Sequence, residues 1–176
     1  SVGEYAAACL AGVFSMEDAL RLVIKRGELM SRTDPGAMLA VSLPAEDLLK
    51  MLPANLDIAA INTPEQTVVS GPIDAIAQFD EALSNTDLLH TILGTSVAAH
   101  SSTMEPILEE FTAELATVKL SPNRIPIAST LLGAMLNDEM VSQDYWVHHL
   151  RDTVRYMDAA RTVAENGPVV AIEIGP

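Results

Sequence analysis

Three kinds of side chain in this 176-residue sequence could carry nucleophilic, acid-base or anion-binding chemistry. Ser1, followed by Val2 and Gly3 at the head of an alanine-rich stretch, matches the second half of a G-x-S-x-G turn, which holds a serine at a sharp strand-to-helix bend. A serine hydroxyl attacks poorly until a base takes its proton, and a histidine, with an unperturbed pKa of about 6.5, suits that task at neutral pH. Four histidines are available: His90, His100, His148 and His149. His90 has no motif context, and His148 and His149 read as a side-by-side pair on a helix. Arg26, in K-R-G-E-L-M, offers a guanidinium fork that fits a carboxylate in two-pronged fashion. The single Cys9 lacks an intrachain disulfide partner and reads as a small buried hydrophobe. No spacing of His, Cys and carboxylates matches a metal-ligand set, so no metal is expected.

The elements that must position these groups fall into two patterns. SVGEYAAACLAG predicts a helix ending near Gly12. Ser15, followed by Glu17 and Asp18, predicts an N-cap and acidic first turn of a second helix running to about Met30, closed by Pro35 and Gly36. Between residues 36 and 99 short apolar runs alternate with short helical segments. AMLAVSL reads as a strand, AEDLLKML as a helix, LDIAAIN and QTVVSG as two strands about a turn, IDAIAQFDEALS as a helix, and LLHTILGTSVAA as a final strand. That β-α-β-β-α-β order is the ferredoxin-like split arrangement. From His100 onward EPILEEFTAELATV, QDYWVHHL and VRYMDAARTVAEN read as helices, and IPIAS and PVVAIEI as strands, the last of the fully buried kind. The expected architecture is an α/β domain made of residues 1–35 and 100–176, interrupted by a ferredoxin-like insert at 36–99, with the binding cleft between them.

Composition narrows the partners. Ten Lys plus Arg against 24 Asp plus Glu gives a net charge of -14, which repels phosphate backbones and anionic membrane surfaces. With no apolar run of about 18 residues and no basic leader ahead of an apolar stretch, a cytoplasmic location is expected.

The stretch GEYAAACLAGVFSMEDALRLV with KRGELM closely resembles the segment after the active serine in malonyl-type acyltransferase domains of modular polyketide synthases and fatty acid synthases. The family's histidine lies in an x-A-x-H-S segment followed by Met and Pro. Here it reads V-A-A-H-S-S-T-M-E-P, with His100 in that place. AAINTPEQTVVSGP, IPIASTLLG, YWVHHLRDTVRY and AIEIGP resemble family segments in the same order, so the similarity spans the chain. It implies a hydrolase-like α/β domain with a ferredoxin-like insert.

The resemblance also implies roles. Ser1 would attack the thioester of an acyl-coenzyme A, and the phosphopantetheine thiol of an acyl carrier protein would then take the acyl group from the serine. His100 would move the proton in both half-reactions, and the N–H of Val2 would hold the oxyanion. Arg26 would bind the free carboxylate of the substrate. The main chain of His149 would orient the histidine in place of a carboxylate. No cofactor would be bound permanently, and an adjacent ketosynthase domain with its linker would be a neighbour.

Val2 resembles malonyl-selective members. V-A-A-H, with Val97 and Ala99, departs from both the H-A-F-H and the Y-A-S-H patterns, and Ala99 leaves room beside the acyl Cα. The expectation is malonyl, with tolerance for methylmalonyl or larger units. The Gly-His pair before the serine, its strand and an upstream glutamine of the oxyanion hole lie outside this sequence. Two rival readings stand beside this one: an inactive docking or scaffold fragment of the same domain, and an N-terminal nucleophile hydrolase using the α-amino group of Ser1 as base.

Overall fold

The computed structural model describes residues 1–165 and 167–173. Helix α1 (Val2–Ala11) is alanine-rich and ends where Gly12 enters the left-handed region at φ 83°, with Val13 N–H closing onto the Ala8 carbonyl at 2.9 Å. Helix α2 (Met16–Met30) starts as its sequence dictates: Ser15 Oγ accepts from Asp18 N–H at 3.0 Å, and Glu17 and Asp18 face the positive end of the helix dipole. Its buried face is Ala19, Leu22, Arg26 and Leu29. Helical periodicity thus carries a guanidinium into the interior along with three apolar side chains.

Strand β1 (Gly36–Val41), helix α3 (Ala45–Leu48), strands β2 (Asp57–Thr63) and β3 (Gln66–Pro72), helix α4 (Ile73–Leu83) and strand β4 (His90–Ile92) follow. The sheet order is β2-β3-β1-β4 and every pairing is antiparallel, the arrangement expected of a ferredoxin-like unit. Two elements are shorter than expected: α3 is a single turn, and β4 pairs over three residues before the chain turns irregular towards His100.

A 3-10 turn (Ser102–Ile107) leads into α5 (Leu108–Leu115), and a second (Glu139–Val141) into α6 (Gln143–Arg151) and α7 (Tyr156–Glu165). Pro106 lies within the first turn and delays the α-helix until residue 108. The strand expected at 125–129 is reduced to one antiparallel bridge, Ala128 to Met135. The strand expected at 168–174 is not formed over 168–173, and Ile174 lies outside the described residues, as does Asn166 of the expected last helix. Both runs are apolar enough to be strands. What they lack, among the described residues, is a neighbouring strand to complete a ladder.

Buried side chains gather in two clusters. One joins α1 and α2 to α5 and α6 around Tyr5, Phe14, Phe111 and Trp146. The other packs α4 on the sheet around Leu39, Val69, Ile76 and Phe79. The clusters are tied at two places. Residues 153–154 extend the β2 edge, where Val154 N–H donates to Ala59 O at 2.8 Å, Ile61 N–H donates to Val154 O at 2.9 Å, and Thr153 Oγ1 donates to Ile58 O at 2.6 Å. The first residue of β1 lies against the segment preceding His100: Gly36 N–H donates to Ser96 O at 3.2 Å, and a Cβ at Gly36 would stand 2.7 Å from the Ala98 nitrogen. That close approach requires glycine. Gly36→Ala therefore destabilises the fold by about 1–3 kcal/mol through overpacking, read as a lower urea midpoint at unchanged slope.

Candidate active site

Ser1 occupies the N-cap position of α1, so its side chain stands where the first N–H groups of the helix have no helical acceptors. Two side chains from distant segments converge on it. His100 Nε2 lies 2.9 Å from Ser1 Oγ, and Arg26 Nη2 donates to the same oxygen at 3.1 Å. His100 Nδ1 lies 2.9 Å from the Asp152 carbonyl oxygen. A carbonyl only accepts, so Nδ1 carries the proton and Nε2 presents its lone pair to the serine. His100 is buried and held at φ 58°, a conformation uncommon for any residue but glycine.

The expected orienting group was the main chain of His149, and the geometry corrects it. The acceptor is the carbonyl of Asp152, three residues further on. Helix α6 ends at Arg151, and Asp152 at φ -88°, ψ 167° is the first residue to leave helical geometry, so its carbonyl turns away from the helix axis. His149 itself is buried between Tyr5, Tyr145 and Trp146.

Electrostatics follow from burial. His100 is pushed down to about 3, first by burial and next by the Arg26 guanidinium and the neighbouring His149, so it stands neutral at working pH. Burial also lowers Arg26, though a guanidinium stays cationic. Among the described residues no carboxylate pairs with Arg26, and its Nε has no partner. The interior therefore holds a cation facing the serine with no protein anion beside it, an arrangement that favours an anionic ligand.

The other expected positions differ in kind. Val2 is largely exposed on the first turn of α1, while Val97 and Ala99 are half-buried on the approach to His100. His148 is exposed and bonds Asp152 Oδ2 at 2.9 Å. His90, the first residue of β4, is engaged with Leu88 O and Ser84 Oγ, and Cys9 packs against the first core cluster. Among the described residues there is no group of three or more His, Cys, Asp or Glu able to hold a metal ion.

Glu4 was not singled out from the sequence. It is buried, three residues after Ser1, and its Oε2 accepts from Thr130 N–H at 2.8 Å and Thr130 Oγ1 at 2.5 Å, while Oε1 accepts from the Tyr145 hydroxyl. His149 Nε2 stands 3.5 Å from Oε2, close by but without a directed hydrogen bond. Burial, the largest influence, raises this carboxyl, but His149, Thr130 and Tyr145 together outweigh it and bring it to about 2.

A serine hydroxyl set between a neutral imidazole and a guanidinium, at the start of a helix, is equipped for covalent acyl transfer to and from an oxygen nucleophile. Comparison with known proteins gives the class. The family model for the acyl transferase domain matches residues 1–176. The chain belongs to that family, and its fold is the α/β fold of those domains.

A curated relative, polyketide synthase GfsA of Streptomyces halstedii, is 36% identical over 181 residues, which cover 100% of this chain and 2% of that protein. The solved acyl transferase domain of SpnD, in complex with 2-(pent-4-yn-1-yl)malonyl, matches with a TM-score of 0.89 at 36% identity over 93% of this chain and 40% of that one. Malonyl CoA-acyl carrier protein transacylase from Burkholderia pseudomallei matches with a TM-score of 0.85 at 31% identity, covering 93% and 58% of the two chains. The chain thus spans less than two thirds of each of these proteins. No helix among the described residues is long and apolar enough to cross a membrane.

Proposed function

We propose that this chain moves an α-carboxyacyl group, malonyl first, from coenzyme A to the phosphopantetheine thiol of an acyl carrier protein through an ester on Ser1. The observation that carries the reading is the convergence of His100 Nε2 and Arg26 Nη2 on Ser1 Oγ. His100 takes the Ser1 proton as Oγ attacks the thioester carbonyl. The oxyanion forms against the Val2 N–H, where the helix dipole is favourable. The carbon–sulfur bond then breaks and His100 returns the proton to the departing thiol. In the second half the carrier thiol gives its proton to His100 and attacks the acyl-serine, and the proton goes back to Ser1 Oγ.

Arg26, buried and without a protein anion among the described residues, pairs with the substrate carboxylate. The half-buried Ala99 and Val97 border the acyl chain and leave room for methylmalonyl or larger substituents. Residues 1–35 and 100–176 form the large subdomain and 36–99 the small one, with Ser1 and His100 at their junction. A carrier protein and an adjacent ketosynthase domain are the partners, in a cytoplasmic synthase. No resident cofactor is required.

Intact mass measurement after incubation of the full-length polypeptide with malonyl-coenzyme A tests the reading: an added malonyl group on Ser1 is expected, and a stable unmodified mass marks an inactive scaffold. Arg26→Ala tests the substrate class. It removes charge-assisted contacts worth roughly 1.5–3 kcal/mol each, and about 1.4 kcal/mol is one decade. The ratio of kcat/KM for malonyl- over acetyl-coenzyme A should fall at least about tenfold. A ratio unmoved by the substitution removes the α-carboxyacyl assignment.

A further inference from the structure

We propose that Glu4 is a positioning residue of the acyl-transfer site, its buried carboxylate clamping the helix that carries Ser1 to the segment whose carbonyl orients His100. The inference rests on the reading of Ser1 and His100 as nucleophile and base.

A carboxylate in this place needs a reason. The other buried residues of α1, Tyr5, Ala8 and Ala11, pack against the interior without a charge, and an apolar side chain at position 4 would bury more cheaply. What Glu4 adds is direction. Its own N–H donates to the Ser1 carbonyl at 3.1 Å, so the carboxylate is attached to the first turn that sets the serine.

Its partners lie 126 and 141 residues away, and both lead to Asp152. Tyr145 and His149 lie on α6, the helix that ends where Asp152 begins. Thr130, on the other side, gives its carbonyl to Arg155 N–H at 2.6 Å, three residues beyond Asp152. Residues 152–155 are therefore tethered to Glu4 from both ends, and the Asp152 carbonyl between those tethers holds His100 Nδ1. The clamp is further set by Ser129, whose Oγ lies 2.6 Å from the Tyr145 hydroxyl and accepts from Leu131 N–H and Leu132 N–H. A carboxyl brought to about 2 stays ionised throughout the working pH range, so its acceptor capacity does not vary.

Misplacement of a reacting pair by about 1 Å costs on the order of 10²-fold in rate. Releasing the clamp should therefore act on the step between Ser1 and His100 and leave substrate binding alone.

The test uses Glu4→Ala, Glu4→Gln and Tyr145→Phe in the full-length polypeptide, with labelling of Ser1 by a small neutral fluorophosphonate. That probe reports activation of the serine without engaging Arg26. Glu4→Ala should lower both the labelling rate and kcat for acyl-enzyme formation by about ten- to hundredfold, with KM within about twofold of wild type. Glu4→Gln should recover to within about threefold, because the amide oxygen keeps the Thr130 pair and the amide N–H can donate to the Tyr145 hydroxyl oxygen. A folded Glu4→Ala protein labelled at the wild-type rate, or a Glu4→Gln protein as slow as Glu4→Ala, overturns the inference. Should Glu4→Ala not fold, Tyr145→Phe removes one hydroxyl from the clamp and is expected to lose about fivefold; a wild-type rate there overturns the inference equally. Wild-type protein that takes no label on Ser1 instead removes the nucleophile assignment on which the clamp depends.

Discussion

The Ser1→Ala protein gains no mass on incubation with malonyl-coenzyme A and transfers nothing to a carrier thiol. The expectation is complete loss rather than slowing, because Ser1 Oγ is the hydroxyl within reach of both His100 Nε2 and Arg26 Nη2. Cys9, the one thiol, packs half-buried against the first core cluster and cannot substitute. The fold should survive, since the Ser1 side chain makes no capping bond to α1 and its removal releases a single hydrogen-bonded oxygen. Intact mass and peptide mapping check the outcome. An adduct that persists in Ser1→Ala, or maps to Cys9, ends the assignment of the nucleophile.

His100→Ala has the next largest effect, a fall of about 10²- to 10⁴-fold in the rate of acyl-enzyme formation, the usual worth of a positioned base. The folding control is circular dichroism, and an unimpaired rate would move the base role to another group. The pH dependence has a definite sign. Burial, then Arg26 and the neighbouring His149, bring His100 to about 3 in the folded protein. The unfolded chain, with an ordinary value of about 6.5, takes up this proton first as the pH falls. Stability associated with His100 is therefore fully present above about 6.5 and declines as the pH drops towards 3. With His100 as the proposed base, the base stays unprotonated through that window, and kcat/KM should hold its plateau well below pH 6.5. A limb centred near 6.5 would contradict the buried environment.

The parts of the fold that could be read from the sequence are those whose signals are local. Ser15 with Glu17 and Asp18 marks the start of α2, and the alternation of short apolar runs with helical segments gives the antiparallel sheet its order. Residues 125–129 form a single bridge and residues 168–173 no strand because an apolar run describes what a strand looks like, not whether a partner lies beside it. At the site, Ser1, Arg26 and His100 were nameable because side chains leave signatures in sequence. The acceptor for His100 was placed three residues early for the opposite reason: a main-chain carbonyl has no residue type, and only the point at which α6 ends decides which one turns towards the histidine. Glu4 sits in plain view in S-V-G-E-Y, yet its burial depends on Thr130 and Tyr145, far along the chain.

The short strap at residues 153–154 bears on how domains of this family can be recombined. The Val154 and Thr153 bonds to Ala59, Ile61 and Ile58 make the edge of the small sheet part of the mounting for the Asp152 carbonyl. Asp57 adds to it, accepting from Ser102 N–H, two residues after His100, at 2.8 Å and pairing with Arg151, one residue before Asp152, at 3.3 Å. A chimera that exchanges residues 36–99 alone thus imports a foreign edge strand beneath the histidine's support, even though no catalytic residue lies in the exchanged block. The transferable cassette is the sheet together with residues 151–155, and its seams belong where neither half of that mounting is cut.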